Sequence, residues 1–119
     1  MMIKRGQLYW LDLGEPRGSS PGYCRPGVVI QDNHFNRTNL NTVVVALVTT
    51  NLRLALMDGN VLLTPKANGV RELSVVNVTQ IYTVDKEELV DRIGNVTRAE
   101  LEQIDNGLKL VLSLGPNEK

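Results

Sequence analysis

Histidine occurs once in these 119 residues, and so does cysteine. A single His34 excludes a mechanism that divides acid and base work between two imidazoles. Together with Cys24 it falls short of the ligand set that a zinc site requires. One cysteine also excludes an intrachain disulfide. Aromatic residues make up only 4% of the chain, so stacking surfaces are few. Trp10, the sole tryptophan, is expected at a core edge or a dimer face. No stretch approaches the roughly 20 apolar residues needed to span a membrane. The start of the chain carries Lys4, Arg5 and Asp12 and lacks the apolar run of a signal peptide. A cytoplasmic location with no membrane partner is expected. No glycine-rich phosphate loop precedes a helix, and no serine sits in a hydrolase elbow. The pairs Glu87-Glu88 and Glu100-Glu102 fall on expected helices, where acids in the first turn are favourable and solvated. No metal and no cofactor is expected.

Charge of one sign is also lacking, since the formal net charge is +0. The distribution is less even. Residues 1–53 hold six basic side chains against three acidic ones, and the remainder holds seven against ten. A neutral protein can still present a basic face to phosphates, although an asymmetry this small is also what scattered surface charge produces.

What is present is a chain that fits one domain, residues 1–119, long enough to bury a core without a metal or a crosslink. Hydrophobic residues reach 42%. Gln7 to Leu13 alternates, and its Tyr9, Leu11, Leu13 face is the better core candidate. Gly27 to Gln31 and Thr42 to Val48 are rich in β-branched residues, as in strands buried on both faces. Val61 to Thr64, Ser74 to Val78 and Gln80 to Val84 are shorter strands, and Val96 closes a last edge. Two loops are informative. Gly14 to Arg25 carries three glycines and two prolines, and irregular connections of that length are often functional. Asn51 to Asn60 directly follows a buried strand.

Helices come late. Asp85-Lys86-Glu87-Glu88 has the form of a capping box, and a short helix is expected from it to Arg92. Thr97-Arg98-Ala99-Glu100 is a second capping box. It opens an amphipathic helix with Leu101, Ile104, Leu108 and Val111 on one face, stopped by Gly115-Pro116. Gly107 inside that helix costs about 1 kcal/mol relative to alanine, so the helix either packs closely there or bends. The expected fold class is mainly β with terminal helices, a small and strongly curved sheet or partial barrel.

Two short motifs can carry chemistry. Arg25-Pro26 precedes one buried strand, and Thr49-Thr50 ends another. A guanidinium is charged at every relevant pH and presents a planar fork to phosphate oxygens. Pro26 stiffens the approach to the strand. A threonine hydroxyl can donate to a phosphate oxygen or accept from a sugar hydroxyl. At the same end of adjacent strands, the two can grip one phosphodiester. Arginine before proline at a strand start also occurs as an ordinary surface feature, so on spacing alone both readings stand.

The order and spacing of several blocks resemble the MazF/PemK toxin family. They are Arg5-Gly6-Gln7-Leu8-Tyr9-Trp10-Leu11-Asp12-Leu13, Gly18-Ser19, Arg25-Pro26 through Gln31, and Asn36-Arg37. Val45 to Asn51, Gly59-Asn60-Val61, Ser74 to Ile81, Val84-Asp85-Lys86 and the helix from Arg98 to Leu114 continue the pattern, so it covers nearly the whole chain. The resemblance implies an SH3-like small β-barrel of the MazF/PemK/CcdB type, working as a homodimer. It implies cleavage of single-stranded RNA at short motifs without metal, leaving 2′,3′-cyclic phosphate and 5′-hydroxyl ends. It implies a cognate MazE-like antitoxin. The family's arginine before the second-strand proline corresponds to Arg25, and its threonine after the third core strand to Thr49. Two positions depart from the pattern. Ser20 stands where the family's loop often has an acid, and Gly27 stands where a β-branched residue usually follows Arg-Pro.

Cleavage and recognition are expected to be separate. Ser19, Tyr23, Asn36 and Gln80 are candidate base contacts, with Thr50 beside the proposed site. Arg17, Arg37 and Arg53 are candidate phosphate contacts. Two other functions remain open on the sequence: a toxin of the same fold, similar to the CcdB family, that binds DNA gyrase, and an inactive copy that only binds an antitoxin.

Overall fold

The computed structural model describes residues 2–15, 18 and 23–115. Six strands form one antiparallel sheet: β1 (Gln7–Asp12), β2 (Cys24–Val29), β3 (Thr42–Thr49), β4 (Val61–Leu63), β5 (Ser74–Asp85) and β6 (Leu89–Asn95). Their spatial order is β4-β5-β3-β2-β1-β6. Helix α1 (Asn33–Asn36) links β2 to β3, and α2 (Arg98–Leu112) follows β6. The sheet curls into a half-barrel. Its two edges meet through loop packing: a Cβ on Gly94 of β6 would fall on the Asn68 carbonyl oxygen in the segment after β4. Asn68 is fully buried there, and its amide donates to the Thr64 carbonyl at 3.0 Å and to Glu100 Oε2 at 2.9 Å.

The central strands bury both faces. On one face Leu8, Val28, Ala46 and Val48 pack with Val61, Leu63, Val76, Ile104 and Leu108. On the other Tyr9, Leu11, Val29, Val45 and Leu47 pack with Ile3, Val84 and Leu89. The expected Tyr9 and Leu11 face of β1 is therefore buried, but so is Leu8, and Leu13 lies just beyond the strand and is half-buried. Burial of a side chain such as Ile104 is worth about 1.5–3 kcal/mol, which helps anchor α2 on the sheet.

Helix α2 begins as its capping box requires. The Thr97 hydroxyl accepts from the Glu100 N–H at 3.2 Å, and the Glu100 carboxylate accepts from the Thr97 N–H at 2.8 Å. Of its expected apolar face, Ile104 and Leu108 are buried and Leu101 is half-buried, while Val111 is exposed. Gly107 marks close packing: a Cβ there would fall on the Gly59 carbonyl oxygen.

Two expectations are corrected. The Asp85 capping box forms, but it opens a 3₁₀ turn over Lys86–Glu88 and not a helix to Arg92. Leu89–Asn95 instead pairs with β1, because ladder bonding to a neighbouring strand outweighs the local helix signal. Ser74–Val78 and Gln80–Val84 are one strand. The register against β3 jumps between Ala46↔Ile81 and Leu47↔Asn77, so a bulge carries the ladder across residues 78–80.

Candidate active site

Arg25 lies near the start of β2, opposite Leu11 of β1. The β2–β3 ladder pairs Gly27 with Leu47. The ladder ends there, two residues short of Arg25 on β2 and of Thr49 on β3, so both stand at one end of these neighbouring strands. Pro26 comes just before the paired stretch, so its missing N–H interrupts no bond to β3. Buried Gly27 follows. The Leu11 Cδ1 methyl would lie 2.7 Å from a Cβ at this position, so Leu11 takes the space that a side chain here would need.

Both residues line an open cleft of about 350 Å³ with Trp10, Tyr23, Cys24, Pro26, Val48 and Thr50. Arg25 is exposed and has no hydrogen-bond or ion-pair partner among the described residues. Thr49 is half-buried, and its Oγ1 accepts the Asn51 backbone N–H at 3.1 Å. Asn51 Oδ1 in turn accepts the Arg53 N–H at 3.2 Å and caps a 3₁₀ turn over Leu52–Leu56. The hydroxyl oxygen is thus fixed by the backbone, and its proton remains available to donate.

A second cavity, about 430 Å³, shares Trp10, Pro26, Val48 and Thr50 with the first. It runs past Gly69 to Glu72 and reaches Asp91, Arg92 and Ile93 of β6. Trp10 therefore belongs to the site and not only to a core edge, and it is 43% exposed. A signal for this exists in β1: the Leu8, Trp10, Asp12 face passes from apolar to charged, which places Trp10 at a rim.

The other candidate contacts are divided. Tyr23 lines the cleft at φ 60°, a left-handed backbone uncommon for a side chain of this size. Its carbonyl accepts the Leu13 N–H at 3.0 Å and closes the base of the loop. Thr50 lines both cavities. Arg53 is exposed on the turn after Thr49, outside the lining of either cavity. Arg37 is exposed at the end of α1, also outside them. Gln80 sits by the β5 bulge, where its Oε1 accepts from the Asn77 amide at 3.3 Å. Asn36 is buried: its amide donates to the Gln31 carbonyl at 2.9 Å and its Oδ1 accepts from Gln31 Nε2 at 2.9 Å. That network holds α1 against β2, so Asn36 stands away from the cleft. Arg17, Ser19 and Ser20 lie outside the described residues.

Among the described residues no three His, Cys, Asp or Glu side chains converge, and no helix is long and apolar enough to cross a membrane. The Tyr9 phenol is the group whose acidity shifts: burial raises its pKa above the ordinary value, and nearby Arg92 partly offsets this.

Residues 4–112 match the family described as PemK-like, MazF-like toxin of type II toxin–antitoxin system. The chain belongs to this family. It is 45% identical to Endoribonuclease MazF2 of Mycobacterium bovis, over 96% of this chain and 100% of that protein. It is 34% identical to Endoribonuclease EndoA of Bacillus subtilis, over 96% and 97% of the two chains. A solved mycobacterial endoribonuclease in complex with its cognate antitoxin superposes with a TM-score of 0.76 at 29% identity, covering 98% of each chain. The half-barrel with its C-terminal helix is thus a MazF fold, and the family pattern seen in the sequence extends through the helix that closes it.

Proposed function

We propose that this MazF-family member is the toxin of a type II toxin–antitoxin pair and cleaves single-stranded RNA without a metal ion. The observation that carries the reading is that Arg25 and Thr49 line one open cleft, with the Thr49 hydroxyl oxygen held by the Asn51 backbone N–H. RNA brings its own nucleophile. The ribose 2′-oxygen attacks the neighbouring phosphorus, the bond from phosphorus to the 5′-oxygen breaks, and the products are a 2′,3′-cyclic phosphate and a 5′-hydroxyl. The 2′ proton is lost as the new bond forms, and the leaving 5′-oxygen gains one.

Arg25 neutralises the charge that builds on the phosphorane oxygens. Thr49 donates its free proton to a non-bridging oxygen. Because Thr49 Oγ1 is already held by Asn51, little reorganisation is needed at the moment of reaction. Arginine, with its very high pKa, is a poor base for the 2′ proton, so that role is not given to Arg25. Tyr23 and Thr50 flank the scissile position, while Arg17 and Arg53 are the proposed phosphate contacts and Ser19 a proposed base contact.

The protein works as a homodimer, and a MazE-like antitoxin lays an acidic segment over the basic cleft and blocks it. The similar mycobacterial enzyme solved with its cognate antitoxin supports that partnership.

Incubation of the purified protein with a long single-stranded RNA in EDTA tests the reading. Sharp fragments with cyclic phosphate ends are expected. Intact RNA, or cutting that begins only when Mg²⁺ is added, would overturn it. Inhibition of DNA gyrase by a protein that leaves RNA intact would favour the CcdB-like alternative.

A further inference from the structure

The two joined cavities differ in chemistry. Among the described residues the cleft around Arg25 offers one cation and no carboxylate, which suits a phosphate. The adjoining groove is charge-balanced, with Arg71 and Arg92 against Glu72 and Asp91 around it. An anion gains little there, because each guanidinium is matched by a carboxylate of opposite sign. A neutral planar group that both donates and accepts hydrogen bonds gains more.

Trp10 supplies the matching surface. It pairs with Pro26 on one side and with Asp91 on the other, so the three side chains share one face of the sheet. Strand alternation puts Arg25 on the opposite face, yet Trp10 and Arg25 line the same cleft, which wraps the ends of β2 and β3. A polynucleotide crossing that rim has its phosphate at Arg25 and an adjoining base over the sheet end at Trp10. Arg92 is partly fixed, since its Nη2 donates to Asn95 Oδ1 at 2.8 Å.

We infer that this groove is a base subsite, in which Trp10 is the stacking platform for a nucleobase next to the scissile linkage and Glu72 and Asp91 accept from its N–H groups. The inference rests on the RNA-cleaving reading above. Base–aromatic stacking tolerates every base because each has a π-face, and removal of one such platform weakens binding by roughly fivefold to a hundredfold.

The chain's single tryptophan makes the test direct. The probes are 2′-O-methyl oligonucleotides tiling the RNA used in the EDTA assay, which cannot supply a nucleophile. Saturating oligonucleotide is expected to change Trp10 fluorescence, and an abasic site at one position is expected to abolish that change. In cleavage, Trp10→Leu is expected to lower kcat/KM by about tenfold or more and Trp10→Phe by only a few-fold. The same abasic site placed in a cleavable RNA is expected to erase the difference between native protein and Trp10→Leu. Unchanged fluorescence at saturation, or equal loss from the abasic site in both proteins, would overturn the subsite. A fluorescence change without any cleavage of RNA would instead sink the enzymatic reading, and with it the scissile linkage beside the subsite, leaving only base binding at Trp10.

Discussion

The Thr49 hydroxyl oxygen accepts the Asn51 backbone N–H at 3.1 Å, so the same residue that ends β3 also fixes the start of the turn carrying Arg53. The acceptor side of the hydroxyl is occupied and the donor side is free. Thr49→Val keeps the shape and removes that donor. A loss of roughly two to three decades in the cleavage rate is expected, from one preorganised donor to the phosphorane. Thr49→Ser keeps the oxygen and should retain activity to within about tenfold. Single-turnover cleavage of one defined RNA measures both, and a Thr49→Val rate equal to native would remove Thr49 from the mechanism.

Gly107 presents a contest between helix propensity and packing. Alanine is the better helix former by about 1 kcal/mol, but its methyl would fall on the Gly59 backbone oxygen. The clashing atom is backbone and not the end of a flexible side chain, so α2 or the turn at Gly59 must shift to admit it. Overpacking costs about 1–3 kcal/mol and should win. Urea unfolding of Gly107→Ala is expected to show a net loss of stability; a gain would mean that α2 can slide away from the 59–60 turn.

Arg5 bridges α2 to the strand ends. Its Nη2 lies 2.6 Å from Asp105 Oδ1, and its Nε donates to the Ile30 carbonyl at 2.8 Å. Both side chains of the ion pair are partly exposed, at 25% and 40%. Solvent screening therefore limits the pair to about 0.2–1 kcal/mol. Asp105→Ala should cost no more than that, while Arg5→Ala should cost more because the carbonyl bond is lost as well. Denaturant midpoints of the two variants decide this; equal losses would show that the carbonyl bond contributes nothing.

Alkaline stability reports on Tyr9. Its folded pKa is raised by burial, so the neutral phenol is the form that the fold prefers. That contribution is fully present below the unfolded value of about 10 and is lost as pH rises through the folded value. Tyr9→Phe removes the hydrogen bond to Gln7 Oε1 at 3.0 Å and should lower stability at neutral pH by about 1 kcal/mol. Its stability should also fall less steeply than native as pH rises above about 10. Parallel slopes for the two proteins would show that Tyr9 is not the group responsible.

Much of the fold was legible because it depends on short-range pattern. The β-branched run at Thr42–Val48, the Thr97–Glu100 capping box and the apolar spacing of Ile104 and Leu108 each specify their element within a few residues. The helix expectation reached Arg92 because the Asp85–Glu88 capping box is real; the strand character of Leu89–Asn95 comes from β1, some 80 residues earlier in the chain. The site followed the same division. On spacing alone Arg25 and Thr49 carried two readings, and their proposed roles came from the resemblance; the structure brings both to one cleft. The burial of Asn36 could not be read from the sequence, since it arises only when Gln31 turns back to bond it. Nor could the place of Trp10 at the junction of two cavities, because the curl of the sheet brings residues 69–72 and 91–93 to its side.

The most direct test concerns the arginine. Arg25 is exposed and makes no side-chain bond among the described residues, so its removal should leave the fold intact. With EDTA present and circular dichroism and oligomeric state matching native, Arg25→Ala should cleave RNA at least about a thousandfold more slowly. Cleavage at the native rate by that folded variant would contradict the account.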